Sequence, residues 1–119
     1  MRNFRKLNVW IDARHLVKEI YLLTSKLPNS EKFGLISQIK RCVISIPANI
    51  AEGSAKDSSK DFIRFLQISL GSSYELETHL ILCSDLNFIN EDDIILIIDK
   101  IQLLQRRISA LISYNKKSL

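Results

Sequence analysis

The sequence predicts an all-α protein, an antiparallel up-down-up-down four-helix bundle, and three observations carry that reading. Apolar residues recur at steps of three and four along four long stretches, and short polar connections separate those stretches. With 3 Gly and 2 Pro in 119 residues, the chain is also too poor in turn residues for a sandwich of many short strands. A composition of 46% hydrophobic and 25% charged residues excludes disorder, and the length suits one core and not two. Residues 1–119 are therefore read as a single domain.

Helix one is expected over about 4–27, where Phe4, Leu7, Trp10, Ile11, Val17, Ile20, Tyr21 and Leu27 form one stripe. Pro28, Asn29 and Ser30 end it, because proline disfavours helical geometry in the residue before it. Helix two is expected over about 31–52, with Ile36, Ile39, Val43, Ile46 and Ile50 on a coiled-coil-like seam. Pro47 lies inside that seam and removes the amide that Val43 would accept from, so a kink without a break is expected. Gly53 fits the left-handed position that ends helices.

Helix three is expected over about 59–86, opened by Ser58 with Asp61 three residues on, a capping arrangement. Its seam is Phe62, Leu66, Ser69, Ser73, Leu76, Leu80 and Cys83. Gly71, Ser72 and Ser73 lower helix propensity in mid-helix, which is tolerable where a neighbouring helix must come close. Helix four is expected over about 91–114, capped by Asn90 and carrying Glu91, Asp92 and Asp93 at the positive end of the dipole. Ile94, Ile97, Ile98, Ile101, Leu104, Ile108, Leu111 and Ile112 share its apolar face. Isoleucines beyond one seam, such as Ile44, Ile81, Ile95 and Ile97, suit a second buried face.

Several function classes are excluded. No run of about 18 apolar residues suggests a membrane span, and the amino terminus is charge-punctuated, so a cytoplasmic protein with no membrane partner is expected. Cys42 and Cys83 sit in apolar helical patterns far apart in sequence and read as buried free thiols. No Gly-rich phosphate loop, nucleophile elbow, His-Glu-x-x-His or Glu-x-x-His occurs. An all-α ribonuclease of the HEPN type would carry an Arg four to six residues before a His, and neither His15 nor His79 has one. Apart from the step of four between Glu75 and His79, neither histidine has a ligand partner at metal spacing. The reading is a non-enzyme with no cofactor and no metal.

Two polar features remain. Helix two carries a stripe of Gln38, Arg41, Ser45, Asn49 and Glu52 beside its seam, and Glu75 or Glu77 of helix three would accept from Arg41 or Asn49 if the two helices are antiparallel neighbours. A structural network within or between protomers, a partner-binding site and a catalytic site all stay open for these seven residues. Charge is also uneven: residues 1–28 carry six basic and two acidic side chains, whereas residues 54–87 carry three and five. A basic amino-terminal helix attracts phosphates, although charge on a helix face also serves plain solvation.

The strings FGLISQIKRCVISIPANIAEG (Phe33 to Gly53) and GSSYELETHL (Gly71 to Leu80), with Trp10, Ala13, Ile20, Tyr21 and the segment from Phe62 to Leu66, closely resemble the 23S rRNA intervening-sequence proteins. These are four-helix bundles related to the accessory variability protein of diversity-generating retroelements. The resemblance implies a homo-oligomer, a pentameric barrel of bundles, without catalysis. It also implies RNA or DNA, or a protein partner such as a reverse transcriptase, bound through a basic surface. Arg2, Arg5, Lys6, Arg14, Lys18, Lys40 and Arg41 are then the candidate phosphate contacts. Where the family commonly has paired Arg followed by Ala, this chain has Lys40, Arg41 and Cys42. A scaffolding oligomer with a protein partner and no nucleic acid is the competing reading.

Overall fold

The computed structural model describes residues 2–117 and 119. A 3-10 turn (Phe4–Lys6) leads into α1 (Asn8–Thr24), and a second (Asn29–Glu31) precedes α2 (Leu35–Ser54); α3 (Ser59–Asp85) and α4 (Glu91–Lys116) follow. The four helices form an elongated bundle of 46 × 23 × 19 Å. Among the described residues, no helix is long and apolar enough to cross a membrane.

Paired side chains fix the helix directions. Asp12 pairs with Arg107, Glu19 with Lys100 at 2.7 Å and Lys26 with Asp93 at 3.7 Å. Each step of seven forward on α1 is a step of seven back on α4, so the two helices are antiparallel and coiled-coil-like in register. The α2 and α3 pairing, the most extensive in the molecule, runs the same way. Ser45 Oγ bonds Ser72 Oγ at 2.5 Å, Ser69 Oγ donates to the Ile46 carbonyl at 2.9 Å, and Gly53 abuts Phe62 and Phe65.

One core runs the length of the bundle. The seams expected for α2, α3 and α4 are buried at Ile39, Val43, Ile46 and Ile50; at Phe62, Leu66, Ser69, Ser73, Leu76, Leu80 and Cys83; and at Ile94, Ile101, Leu104, Ile108 and Ile112, while Ile36, Ile97, Ile98 and Leu111 are partly buried against that core. The α1 seam lies one notch round from the expected stripe. Val9, Ala13, Leu16, Ile20, Leu23 and Leu27 are buried, while Trp10 and Val17 flank the core and Tyr21 is exposed. Trp and Tyr keep a polar tip at the water, so they edge a seam and do not centre it.

The helix ends differ from expectation for local reasons. Helix one does not run from residue 4: the Asn3 side chain accepts from the Arg5 amide, and Leu7 is extended, so the first turn is separate. Helix two starts at Leu35, whose amide reaches back to Glu31 Oε1 at 3.4 Å. Gly53 is not a left-handed cap. It is helical and buried, and a Cβ there would lie 2.5 Å from Phe65 Cβ, so its missing side chain lets α2 and α3 meet. Gly71 has the opposite surroundings, with nothing within 4 Å of an added Cβ.

The left-handed residue is Asn87, at φ 60°. There the Phe88 amide donates to the Cys83 carbonyl at 2.9 Å and the Asn87 amide to Ser84 at 3.0 Å, a Schellman ending for α3. Ser58 caps α3 as expected, accepting from the Asp61 amide at 3.1 Å. Asn90 makes no side-chain cap on α4; its carbonyl accepts from Asp93 and Ile94 instead. α2 continues through Pro47 without a break.

Candidate nucleic-acid interface

The first helix divides its charges by side. Asp12 and Glu19, its two carboxylates, are both engaged by cations of α4. Among the described residues no carboxylate pairs with Arg5, Lys6, Arg14, Lys18, Lys40 or Arg41. Acid is thus neutralised on the α4 side, and the opposite side of α1 keeps its positive charge.

That side is also aromatic. Phe4 meets Trp10 edge-on with ring centroids 5.0 Å apart, and the Arg14 guanidinium lies over the Trp10 ring at 5.6 Å. Together with Arg5 and Ile11 these residues line an open depression at the start of α1. Lys18 and Tyr21 follow Arg14 at steps of four and three, and α2 adds Lys40, whose ammonium sits 4.7 Å from the Tyr21 ring centre. Arg5, Arg14, Lys18 and Lys40 therefore line one strip interleaved with aromatic rings.

The other three cations lie elsewhere. Arg2 is a fastening, donating to the Lys56 carbonyl at 2.8 Å and stacking 4.2 Å over Phe62. Lys6 turns toward α4, lining a cleft with Leu7, Arg107 and Leu111. Arg41 is exposed on α2, close enough to Cys42 to favour its thiolate.

The polar stripe of α2 separates into parts. Gln38, Arg41 and Glu52 are exposed on the protomer, while Ser45 and Asn49 are half-buried. Ser45 donates to Cys42 O as well as meeting Ser72, and Asn49 Nδ2 donates to Ser45 O at 2.8 Å. The expected bonds from Arg41 or Asn49 to Glu75 or Glu77 are not formed. Glu77 faces α4 and accepts from Gln102 Nε2 at 3.2 Å and Gln105 Nε2 at 2.8 Å. Two residues are a rotation of about 200° on a helix, so Glu77 lies on the α4 side while Glu75 lies on the α2 side beside Cys42. Gln105 is buried, and no sequence signal marks it because it interrupts no seam.

Among the described residues, one group of ligand-type side chains does converge. Cys42 of α2 and Glu75 and His79 of α3 bring Sγ, a carboxylate oxygen and a ring nitrogen to within 4.8 Å of one another. Burial, then the charge and hydrogen bond of Glu75, push the Cys42 thiol up to about 12, with Arg41 pulling weakly the other way. Cys83, the second buried thiol, is raised chiefly by burial. His15 is exposed at the α1 and α4 cleft, beside the paired Asp12 and Glu19.

Comparison with known proteins places this arrangement in a family. A crystal structure of a protein of unknown function from the S23 ribosomal protein family of Bacteroides thetaiotaomicron superposes with a TM-score of 0.81 at 28% identity, covering 87% of this chain and 97% of the other. No curated protein matches the chain. The family profile described as 23S rRNA-intervening sequence protein matches residues 5–110. On that match, which spans all but the ends of the bundle, the chain belongs to the 23S rRNA-intervening sequence protein family.

Proposed function

We propose that this protein is a non-enzymatic, cytoplasmic bundle that assembles with copies of itself and binds unpaired nucleic acid through the basic strip on α1. The observation that carries the reading is the alternation of Arg5, Phe4, Trp10, Arg14, Lys18, Tyr21 and Lys40 on one side, with the acids of α1 tied to α4. Cations track a phosphate backbone, while aromatic rings and guanidinium planes stack on bases, a pairing suited to single strands and loops. Self-assembly is supported by apolar side chains left at the surface of the protomer. Ile44, Ile68 and Leu82 are each more than two-fifths exposed on α2 and α3, and Leu96 is 69% exposed on α4. The family likeness implies five copies.

The test is a pair of variants read by fluorescence anisotropy on labelled unpaired RNA. Arg14→Ala with Lys18→Ala removes two phosphate contacts and lowers the slope of log affinity against log salt by roughly 1.4, whereas Lys60→Ala on α3 leaves it unchanged. Equal affinity and slope in all three proteins would replace this reading with the scaffold that binds only protein. Native mass spectrometry reports the number of copies in the same samples.

A further inference from the structure

We infer that Cys42, Glu75 and His79 bind one divalent transition-metal ion of the zinc type between α2 and α3. The inference is independent of nucleic-acid binding. Its first support is geometry: the three donor atoms lie within 4.8 Å of one another, and His79 Nε2 is 3.5 Å from Glu75 Oε1. Zinc bonds of about 2.0 to 2.3 Å at tetrahedral angles hold donors roughly 3.3 to 3.6 Å apart. Closing the group round an ion therefore brings the donors together by only about 1 Å.

The second support is an unsatisfied histidine. Both ring nitrogens of His79 are buried and neither has a hydrogen-bond partner; the 3.5 Å approach to Glu75 lacks the alignment of a hydrogen bond. Buried polar atoms are nearly always paired, so an orphaned imidazole beside a thiol and a carboxylate points to a missing partner. A metal ion supplies one, taking the ring lone pair.

Donor chemistry selects the ion. Sulfur with imidazole and one carboxylate suits zinc and its neighbours and is wrong for magnesium or calcium, which take oxygen. The site is also braced. Ser45 bonds both the Cys42 carbonyl and Ser72, holding the two helices in register one turn away, and Glu75 is 55% exposed, which leaves a way in from solvent and a fourth position for water. On binding, the Cys42 S–H bond breaks, a sulfur–metal bond forms, and the proton passes to buffer. The ion then staples α2 to α3.

The experiment adds Co(II) to the full-length, tag-free, reduced protein and follows absorption. The expected result is one cobalt per chain, with a sulfur-to-cobalt charge-transfer band and the visible bands of four-coordinate cobalt, all discharged by zinc. Cys42→Ser abolishes the charge-transfer band and Cys83→Ser keeps it. His79→Gln weakens binding by more than about 100-fold and Glu75→Gln by more than about 10-fold, with helicity by circular dichroism unchanged. No cobalt bands at millimolar metal, a charge-transfer band that survives Cys42→Ser, or full affinity in His79→Gln would overturn the assignment.

Discussion

The same substitution, Gly to Ala, is expected to act with opposite signs at two helical positions. At Gly53 a Cβ would stand 2.5 Å from Phe65 Cβ, 3.2 Å from Phe62 Cδ1 and 3.3 Å from Phe65 Cγ. Ordinary carbon contacts lie near 3.5 to 4.0 Å, so the helices must part by about 1 Å. Phe62 is 1% exposed and has nowhere to swing. Overpacking costs about 1 to 3 kcal/mol, and a 2.5 Å contact with a Cβ that cannot rotate away lies in the upper part of that range, about 2 to 3; the better helix propensity of Ala offsets about 1, leaving a net loss of about 1 to 2 kcal/mol. At Gly71 the Cβ meets open space, so only the propensity acts and the protein gains about 0.5 to 1 kcal/mol. Urea unfolding followed by far-UV circular dichroism measures both, with slopes unchanged from the parent. A Gly53→Ala protein as stable as the parent would refute the close approach of α2 and α3, and a destabilised Gly71→Ala protein would refute the open face.

Two further outcomes follow from the buried polar groups. Glu77→Ala leaves the buried Gln105 amide, and that of Gln102, without their acceptor and lowers stability by about 1 to 3 kcal/mol in the same urea assay, with Glu77→Gln losing less because one acceptor oxygen remains. The thiols give a pH dependence: Cys42 is held near 12 and Cys83 above its ordinary 9.0, so each folded-state value exceeds the unfolded one. Their contribution is complete below pH 9 and drains away as pH rises toward 12. With chelator present, the urea midpoint falls between pH about 8 and about 10.5, and it falls less in Cys42→Ala; equal slopes in the two proteins would contradict the assigned burial.

How much of this was legible in the sequence depended on what each residue shows to a one-dimensional reading. The α3 seam was readable because all seven of its positions are large apolar or small side chains at steps of three and four, although Ile63, one step from Phe62, is buried as well. The α1 seam was displaced because Ala13 contributes little hydropathy, whereas Trp10 and Tyr21 contribute much while edging the core. Gly53 was misread because a glycine near a helix end serves either a left-handed turn or a close approach, and only the neighbouring helix decides which. The basic character of α1 was plain, but which cations share a strip was not. Arg2 is drawn off by Phe62 and the Lys56 carbonyl, and Lys6 by the turn at Leu7.

The Cys42, Glu75 and His79 group shows the same limit. Its half on α3 was visible as a step of four, but Cys42 joins it only through the antiparallel register of α2 on α3. Pairing Ser45 with Ser72 sets that register, and a reading that aligned the serines of the two helices would have placed Cys42 opposite Glu75.

Trp10 is the single tryptophan of the chain and lies within the basic strip, so its fluorescence reports occupancy there directly. Titrating unpaired RNA at several salt concentrations, with emission from Trp10 as the readout, should show saturable quenching. The four cations of the strip set the slope of log affinity on log salt near −3 for a single strand. Emission that stays constant through the titration, or quenching whose midpoint does not move with salt, would contradict an α1 surface built to hold a phosphate backbone.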